Sequence, residues 1–438
     1  MNKKILLIII SIIVVLAFVA VLFFQHQQPT EELVVQKMNL VTTKLADIPE
    51  EYNVFKSGGG YGIPPYEYII FSPDGRKVVY VLERKDKHFL VLNNQKSGPY
   101  DNVLYNFTFS PDSQQFVYVV IKEGKWFVVL NNQESGPYDW VEQLTFSPDS
   151  QHFAYVAEKE DKWFIIKNDQ KSGPYNRVKG LTFSPDSQHF AYVIIKEGKQ
   201  FVVKNGQKSG SYNRVKDLIF SPDSQHFAYV AEKEDKWFII KNDQKSEDYN
   251  WVHLLTFSPD SQQFAYSVVK EGNIFILLNG QKSGPYEHVH EFTFSFNSKQ
   301  FVYITEDKKG NFFMVLNGEK SGPYDNVRSL TFSPDSQHFA YVIIKEGKQF
   351  VVKNGQKSGP YDGVWSLVFS PNNQQFAYIA NIAKKEDKWF IVLNGQKSEL
   401  YDRVWPLTFS PDSQYLVYGA QIGRELWWIA NKVLFFQH

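Results

Sequence analysis

The chain has 438 residues, with 47 basic and 47 acidic side chains interspersed along its length. That balance leaves no long-range field to draw in nucleic acid. Cysteine is absent, which excludes disulfides, thiolate metal sites and a cysteine nucleophile.

In chain order, Lys3 and Lys4 precede an apolar run from Ile5 to Phe24 that only Ser11 interrupts. Twenty residues at ~1.5 Å each span ~30 Å, enough to cross a bilayer. A retained anchor fits better than a cleaved signal, whose apolar core is ~7–15 residues with small side chains at its exit. The lysines are then expected in the cytoplasm, and Glu31, Glu32 and everything after them on the far side, periplasmic or extracellular. The division expected is a cytoplasmic stub and transmembrane helix over 1–26, a linker over 27–49 and a repeat domain over 50–438.

The repeat domain declares itself by self-similarity. A Phe-Ser-Pro motif or close variant places its serine at 72, 110, 147, 184, 221, 258, 295, 333, 370 and 410, and residues 181–210 recur unchanged at 330–359. Aromatic content is 16%, in short segments bounded by Gly, Pro, Asn and Asp, the composition of strands and turns. In one copy, Leu144 to Ser147 is a short predicted strand and Pro148-Asp149-Ser150 a turn, with the aspartate able to cap backbone N–H groups. His152 to Glu158 is a second strand, with Phe153 and Tyr155 on one face and Ala154 and Val156 on the other. Lys159 to Lys162 forms a charged hairpin. Trp163 to Lys167 is a third strand, Asn168-Asp169 a turn that tolerates positive φ, and Gln170 to Tyr175 a fourth strand.

A four-stranded sheet that is apolar on both faces needs a like neighbour on each side, and radial stacking supplies that as a propeller. The run Phe-Ser-Pro-Asp-Ser-Gln-His-Phe-Ala-Tyr-Val over 146–156 resembles the TolB-like propeller repeat, a cousin of the WD repeat, and Ser-Pro-Asp-Gly stands intact at 72–75. The resemblance covers about 50–438 and implies an all-β propeller of about ten 37-residue repeats. One ring of ten and two rings of five are both open at this point. Phe296-Asn297 in place of Pro-Asp, and Asn372 in place of Asp, are expected to turn those copies differently. The final copy lacks a Lys-Ser-Gly-Pro-Tyr segment, while Lys56-Ser57-Gly58 and Pro65-Tyr66 sit unused near the start. Exchange of that piece is the expected closure, and capping of an open stack by it is the alternative. The hexapeptide Val-Leu-Phe-Phe-Gln-His, at 21–26 and again at 433–438, has no physical account.

Little here reads as catalysis. There is no Gly-x-Ser-x-Gly elbow, phosphate loop or sialidase-type aspartate box. The aspartates at 74, 112, 149, 186, 223, 260, 335 and 412 each follow a proline in an equivalent turn, a structural pattern. His152, His189, His226 and His338 share one repeated position and are expected at the surface. No cofactor is expected.

In a chain of near copies, the informative positions are those that differ. Before each Phe-Ser-Pro motif a valine recurs at 141, 178, 215, 252, 289, 327, 364 and 404, and its neighbours vary freely. They are Trp140 and Glu142, Arg177 and Lys179, Arg214 and Lys216, Trp251 and His253, His288 and His290, Asn326 and Arg328, Gly363 and Trp365, Arg403 and Trp405. Alternation points each valine inward and its pair outward, and Trp and Arg dominate binding hot spots. In propellers this chain resembles, the connection between blades shares a face with the second hairpin. The expectation is therefore a recognition face for a protein or cell-envelope component, ringed by the charged hairpins. Neutral drift at exposed loops is the plain alternative. A glycan-binding or glycan-processing propeller is the competing function, because exposed tryptophans stack on sugars. Glu287, His288, His290, Glu291 and His253 could gather a metal, but His-x-His on a strand is not specific and no metal is expected.

Overall fold

The computed structural model describes residues 40–47, 53–54, 69–74, 76–382, 388–405 and 407–432. They form ten antiparallel sheets, the blades of one ten-bladed propeller. Blade 3 shows the plan, with strands Trp140–Phe146, Phe153–Lys159, Lys162–Lys167 and Gln170–Tyr175 hydrogen-bonded in that order. The first strand of each blade lines the ring's interior and the fourth, largely exposed, lies outside.

The second strand explains why the sheets stack. Ala154, Val156 and Ile165 pack with Val178, Phe183 and Phe190 of blade 4. Phe153, Tyr155 and Ala157 pack with Val117, Val119 and Val128 of blade 2. Alternate residues of one strand therefore enter two different cores, which is why its apolar pattern has no polar face. Each buried Val or Ile contributes about 1.5–3 kcal/mol relative to an exposed one.

The turns match the local chemistry. Asn168 and Asp169 take φ of 46° and 62°, the left-handed pair that a two-residue hairpin with the right twist requires. Where Ser-Gly-Pro-Tyr is replaced, in blades 4, 5 and 9, the fourth strand shrinks to Gln207–Lys208, Gln244–Lys245 and Gln396–Lys397. There a serine hydroxyl accepts the third-strand N–H instead, as Ser246 Oγ does from Ile239 at 3.0 Å.

Two expectations about the strands change. The first strand begins at Trp140 rather than Leu144, with a bulge between Glu142 and Thr145 and Gln143 at φ 56°. The variable pairs are thus strand residues on the ring wall. The copies carrying Asn297 and Asn372 also turn like the others. Asn297 Oδ1 accepts the Lys299 N–H at 3.0 Å and Asn372 Oδ1 the Gln374 N–H at 3.1 Å, because an amide oxygen accepts as a carboxylate does.

Closure uses a different segment from the expected one. Leu40–Asp47, inside the stretch read as linker, pairs antiparallel with Glu425–Lys432 and is the fourth strand of blade 10. The chain then enters blade 1 at Asn53–Val54, which pairs with Glu83 and Leu82 just as Trp140 and Val141 pair with Glu158 and Ala157. Ile69–Phe71 resumes that first strand against Val78, Val79 and Tyr80. The chain therefore passes from the fourth strand of the last blade to the first strand of blade 1, the same order in which it leaves every other blade for the next. The missing place is filled, and the 56–66 piece lies outside the described residues, as do the expected membrane anchor and both copies of the hexapeptide. Among the described residues no helix is long and apolar enough to cross a membrane.

Candidate functional site: the two ends of the ring

At one end sit the ten turns of this series, eight of them Ser-Pro-Asp and two with asparagine at 297 and 372. Ser147 Oγ donates to Asp149 Oδ1 at 2.5 Å and accepts the His152 N–H at 2.9 Å, while Asp149 Oδ1 accepts the Gln151 N–H at 3.0 Å. The Asp149 N–H then crosses to blade 4 and donates to Ser187 Oγ at 3.0 Å. Equivalent bonds run from Asp74 to Ser113 through Asn372 to Ser413, with Asn373 Oδ1 as acceptor between blades 8 and 9. They form a belt from blade to blade. The serine hydroxyl first, and the backbone N–H next, hold the Asp149 carboxyl below its ordinary range, and the other seven aspartates of the series shift the same way. These groups are fully used in building.

The histidines expected at the surface belong to the same construction. His152 is half-buried, with Nδ1 2.8 Å from Asn168 Nδ2 and its ring 6.2 Å from Phe183 of blade 4. His189, His226 and His338 repeat the arrangement. They pack across a seam because the turn carries them over the neighbouring blade.

At the other end the first strands begin and the charged hairpins lie. The recurring valines mark the wall, with Val141, Val178, Val215 and Val252 at most 1% exposed. In blades 3, 4 and 6 the residue before the valine leans on the third strand of the preceding blade. Trp140 lies 4.3 Å from Trp126, Trp251 lies 4.3 Å from Trp237, and the Arg177 guanidinium sits 3.8 Å over Trp163. Arg177 also pairs with Glu142 at 3.0 Å. Where the third strand carries Gln200 or Gln349, the amide oxygen instead accepts the N–H of Val215 or Val364, at 2.8 and 2.9 Å. Part of the variation thus follows from pairing across the seams, a partnership that third-strand Trp and Gln could have signalled in the sequence.

The residue after the valine reaches the next blade in blades 3, 5 and 8 and stays within its own blade in blades 7 and 9. Lys216 Nζ donates to the Val252 carbonyl at 2.7 Å and lies 4.7 Å over Trp251. Arg328 Nη2 donates to Gln349 Oε1 at 2.6 Å and the Val364 carbonyl at 3.2 Å. His290 meets Glu306 at 2.8 Å and stacks 4.8 Å from Phe312, and His288 lies 6.0 Å from His290. Trp365 stacks on Trp389 at 4.3 Å within its own blade. Burial, then the charges of Lys216 and His288, push the His253 pKa down. Among the described residues no three acidic or histidine side chains are placed to hold a metal ion.

The sites separate into groups. Arg177, Arg214, His253, His288 and His290 are exposed, as is Trp140 at 44%, whereas Glu142, Lys179, Lys216, Trp251, Arg328, Trp365 and Arg403 are half-buried. Trp405, expected to face outward, is 5% exposed, so it belongs to the packing of blade 10. Lys179 lines a cavity of about 350 Å³ between blades 4 and 5, together with Lys216, Asp217 and Leu218. That cavity could not be read from the sequence.

The fold and this wall define a class: a ten-bladed β-propeller whose ring has one uniform and one diversified end. No protein-family model and no curated protein matches the chain. Solved structures similar to it include one described as the crystal structure of the eukaryotic initiation factor, at 14% identity and TM-score 0.44, over 82% of this chain and 95% of that one. A second is described as the Dos1 propeller, at 11% identity and TM-score 0.38, over 66% and 92% of the two chains. A third is the dihydro-heme d1 dehydrogenase NirN, at 12% identity and TM-score 0.37, over 72% and 79%.

Proposed function

We propose that this chain is a membrane-anchored, extracytoplasmic propeller that works as a protein-binding or scaffolding module through the diversified end of its ring. It acts by surface complementarity, with no covalent step. The observation that carries the reading is the contrast in how the two ends use their polar groups. The uniform end spends its serines and aspartates on the belt, while Trp140, Arg177, Arg214 and His288 hold different chemistry at one backbone position and stay exposed. Retention at a membrane rests on the apolar run from Ile5 to Phe24 with Lys3 and Lys4 before it. Binding is favoured over glycan processing because Trp405 is buried and Trp140, Trp251 and Trp365 already stack on protein rings.

The test is capture of a partner in native membranes by the full chain carrying alanine at Trp140, Arg214 and His288 together. Capture should be lost while circular dichroism and the melting temperature stay near wild type. Undiminished capture by a folded triple variant would place recognition elsewhere.

A further inference from the structure

The residues that follow the valines are sorted by blade. Blades 4 to 8 carry Lys179, Lys216, His253, His290 and Arg328 in unbroken succession. Blades 9, 10 and 2 carry Trp365, Trp405 and Leu104 at the same position, and blade 3 carries Glu142. A chain of zero formal net charge therefore places three cations, Lys179, Lys216 and Arg328, with two histidines between them, as a basic arc along one half of its inner wall. The arc is under-neutralised. The Lys179 side chain has no hydrogen bond or ion pair among the described residues, and burial and the neighbouring Arg214 charge lower its pKa. The Arg328 Nε is buried without a partner, and the contacts that its Nη2 makes are to neutral oxygens. His253 feels repulsion from Lys216 and His288. The acids nearby are committed or set back: Glu306 holds His290, Glu232 is buried 3.7 Å from Arg214, and Asp217 lies 3.5 Å from Lys216. Glu291 is half-buried, and burial raises its pKa.

We propose that this end of the ring receives an acidic polypeptide segment, with one carboxylate seated in the cavity beside Lys179 and Lys216 and others along the arc to Arg328. The inference rests on the binding function proposed above and names the chemistry of its partner. A cavity of about 350 Å³ holds one acidic side chain. The arc lies on the inside of a ring, a concave surface that an extended chain can follow and a flat anionic bilayer cannot. Asp217 and Glu306, interleaved in the arc, repel a uniformly charged polymer and suit a chain whose charges are spaced.

The experiment uses the purified full chain in detergent and a labelled, unstructured peptide of alternating Glu and Gly, read by fluorescence anisotropy. Its counterpart with Gln for Glu and vesicles of anionic phospholipid are the comparison probes. The Glu peptide should bind and the Gln peptide should not. Lys179→Gln, Lys216→Gln and Arg328→Gln together should weaken binding at least about tenfold and flatten its salt dependence. Lys171→Gln, Lys282→Gln and Lys320→Gln remove the same charge from the outer strands, where these lysines lie 3.4–3.5 Å over Phe164, Phe275 and Phe313, and should leave binding unchanged. If the triple variant of the arc unfolds, Lys179→Gln alone, which breaks no side-chain bond among the described residues, should still weaken the peptide several-fold. Equal binding of both peptides, equal losses in both triple variants, or binding of vesicles but not of the Glu peptide would overturn the proposal. Partner capture at the ring end without any Glu-peptide binding would sink the acidic ligand alone, and loss of both would sink the binding function as well.

Discussion

The two ends of this ring are built from the same repeats and treat their polar side chains in opposite ways. At the turn end, Ser147, Asp149 and Ser187 form a closed set in which a hydroxyl, a carboxylate and backbone N–H groups satisfy one another across a seam. At the opposite end the backbone is as regular, yet among the described residues the Lys179 side chain has no partner, and Lys216 and His253 repel. The first end is accounted for by assembly alone. At the second, Lys216, Arg328 and Arg177 bond across seams, while the Lys179 charge meets no partner among the described residues.

Substitutions should separate the ends by size of effect. Ser147→Ala is expected to cost the most, about 1–3 kcal/mol, because it leaves the His152 N–H unpaired in a buried turn; a lowered urea midpoint checks it. Trp140→Ala should cost about 0.5–1.5 kcal/mol through the lost stack on Trp126. Arg214→Ala, at the exposed side of the mouth, should fall within about 0.5 kcal/mol of wild type in the same measurement.

Acid sharpens the comparison further. The belt aspartates have pKa values below the ordinary 3.8, so their contribution is present above that value and is lost as pH falls through the lower folded value. Unfolding followed by tryptophan fluorescence should therefore begin below about pH 4. Asp149→Asn should reduce that sensitivity and leave stability at neutral pH almost unchanged, because Asn297 and Asn372 already fill the turn. The smallest effect concerns the mouth alone. Lys216→Gln removes one of the charges that depress His253, so the His253 titration seen by NMR should move upward with little change in stability.

How much of this was legible depends on whether a feature repeats. The Phe-Ser-Pro motif, the two apolar faces of the second strand and the turn that begins with Asn are local, and each was readable because copy after copy repeats the same physics. Closure was not, since Leu40–Asp47 carries no motif and earns its place only by pairing with Glu425–Lys432. The nearby Lys-Ser-Gly and Pro-Tyr pieces pointed to the wrong residues. At the candidate site the valines and their variable neighbours were visible. The fate of each neighbour was not, because Trp405 is buried and Trp140 exposed although both are tryptophans flanking the same recurring valine. Spacing along the chain also hid the arc from Lys179 to Arg328, whose members stand about one repeat apart and become neighbours only when the blades are arranged in a ring.

The most direct measurement is site-specific photo-crosslinking in the native membrane, with the reactive residue at position 214 of the diversified end or at position 188 of the turn end, both exposed. Crosslinking to a defined protein from position 214 and not from 188 is the expected result. Crosslinking from 188 alone, or to the same extent from both, would contradict the assignment of function to the diversified end.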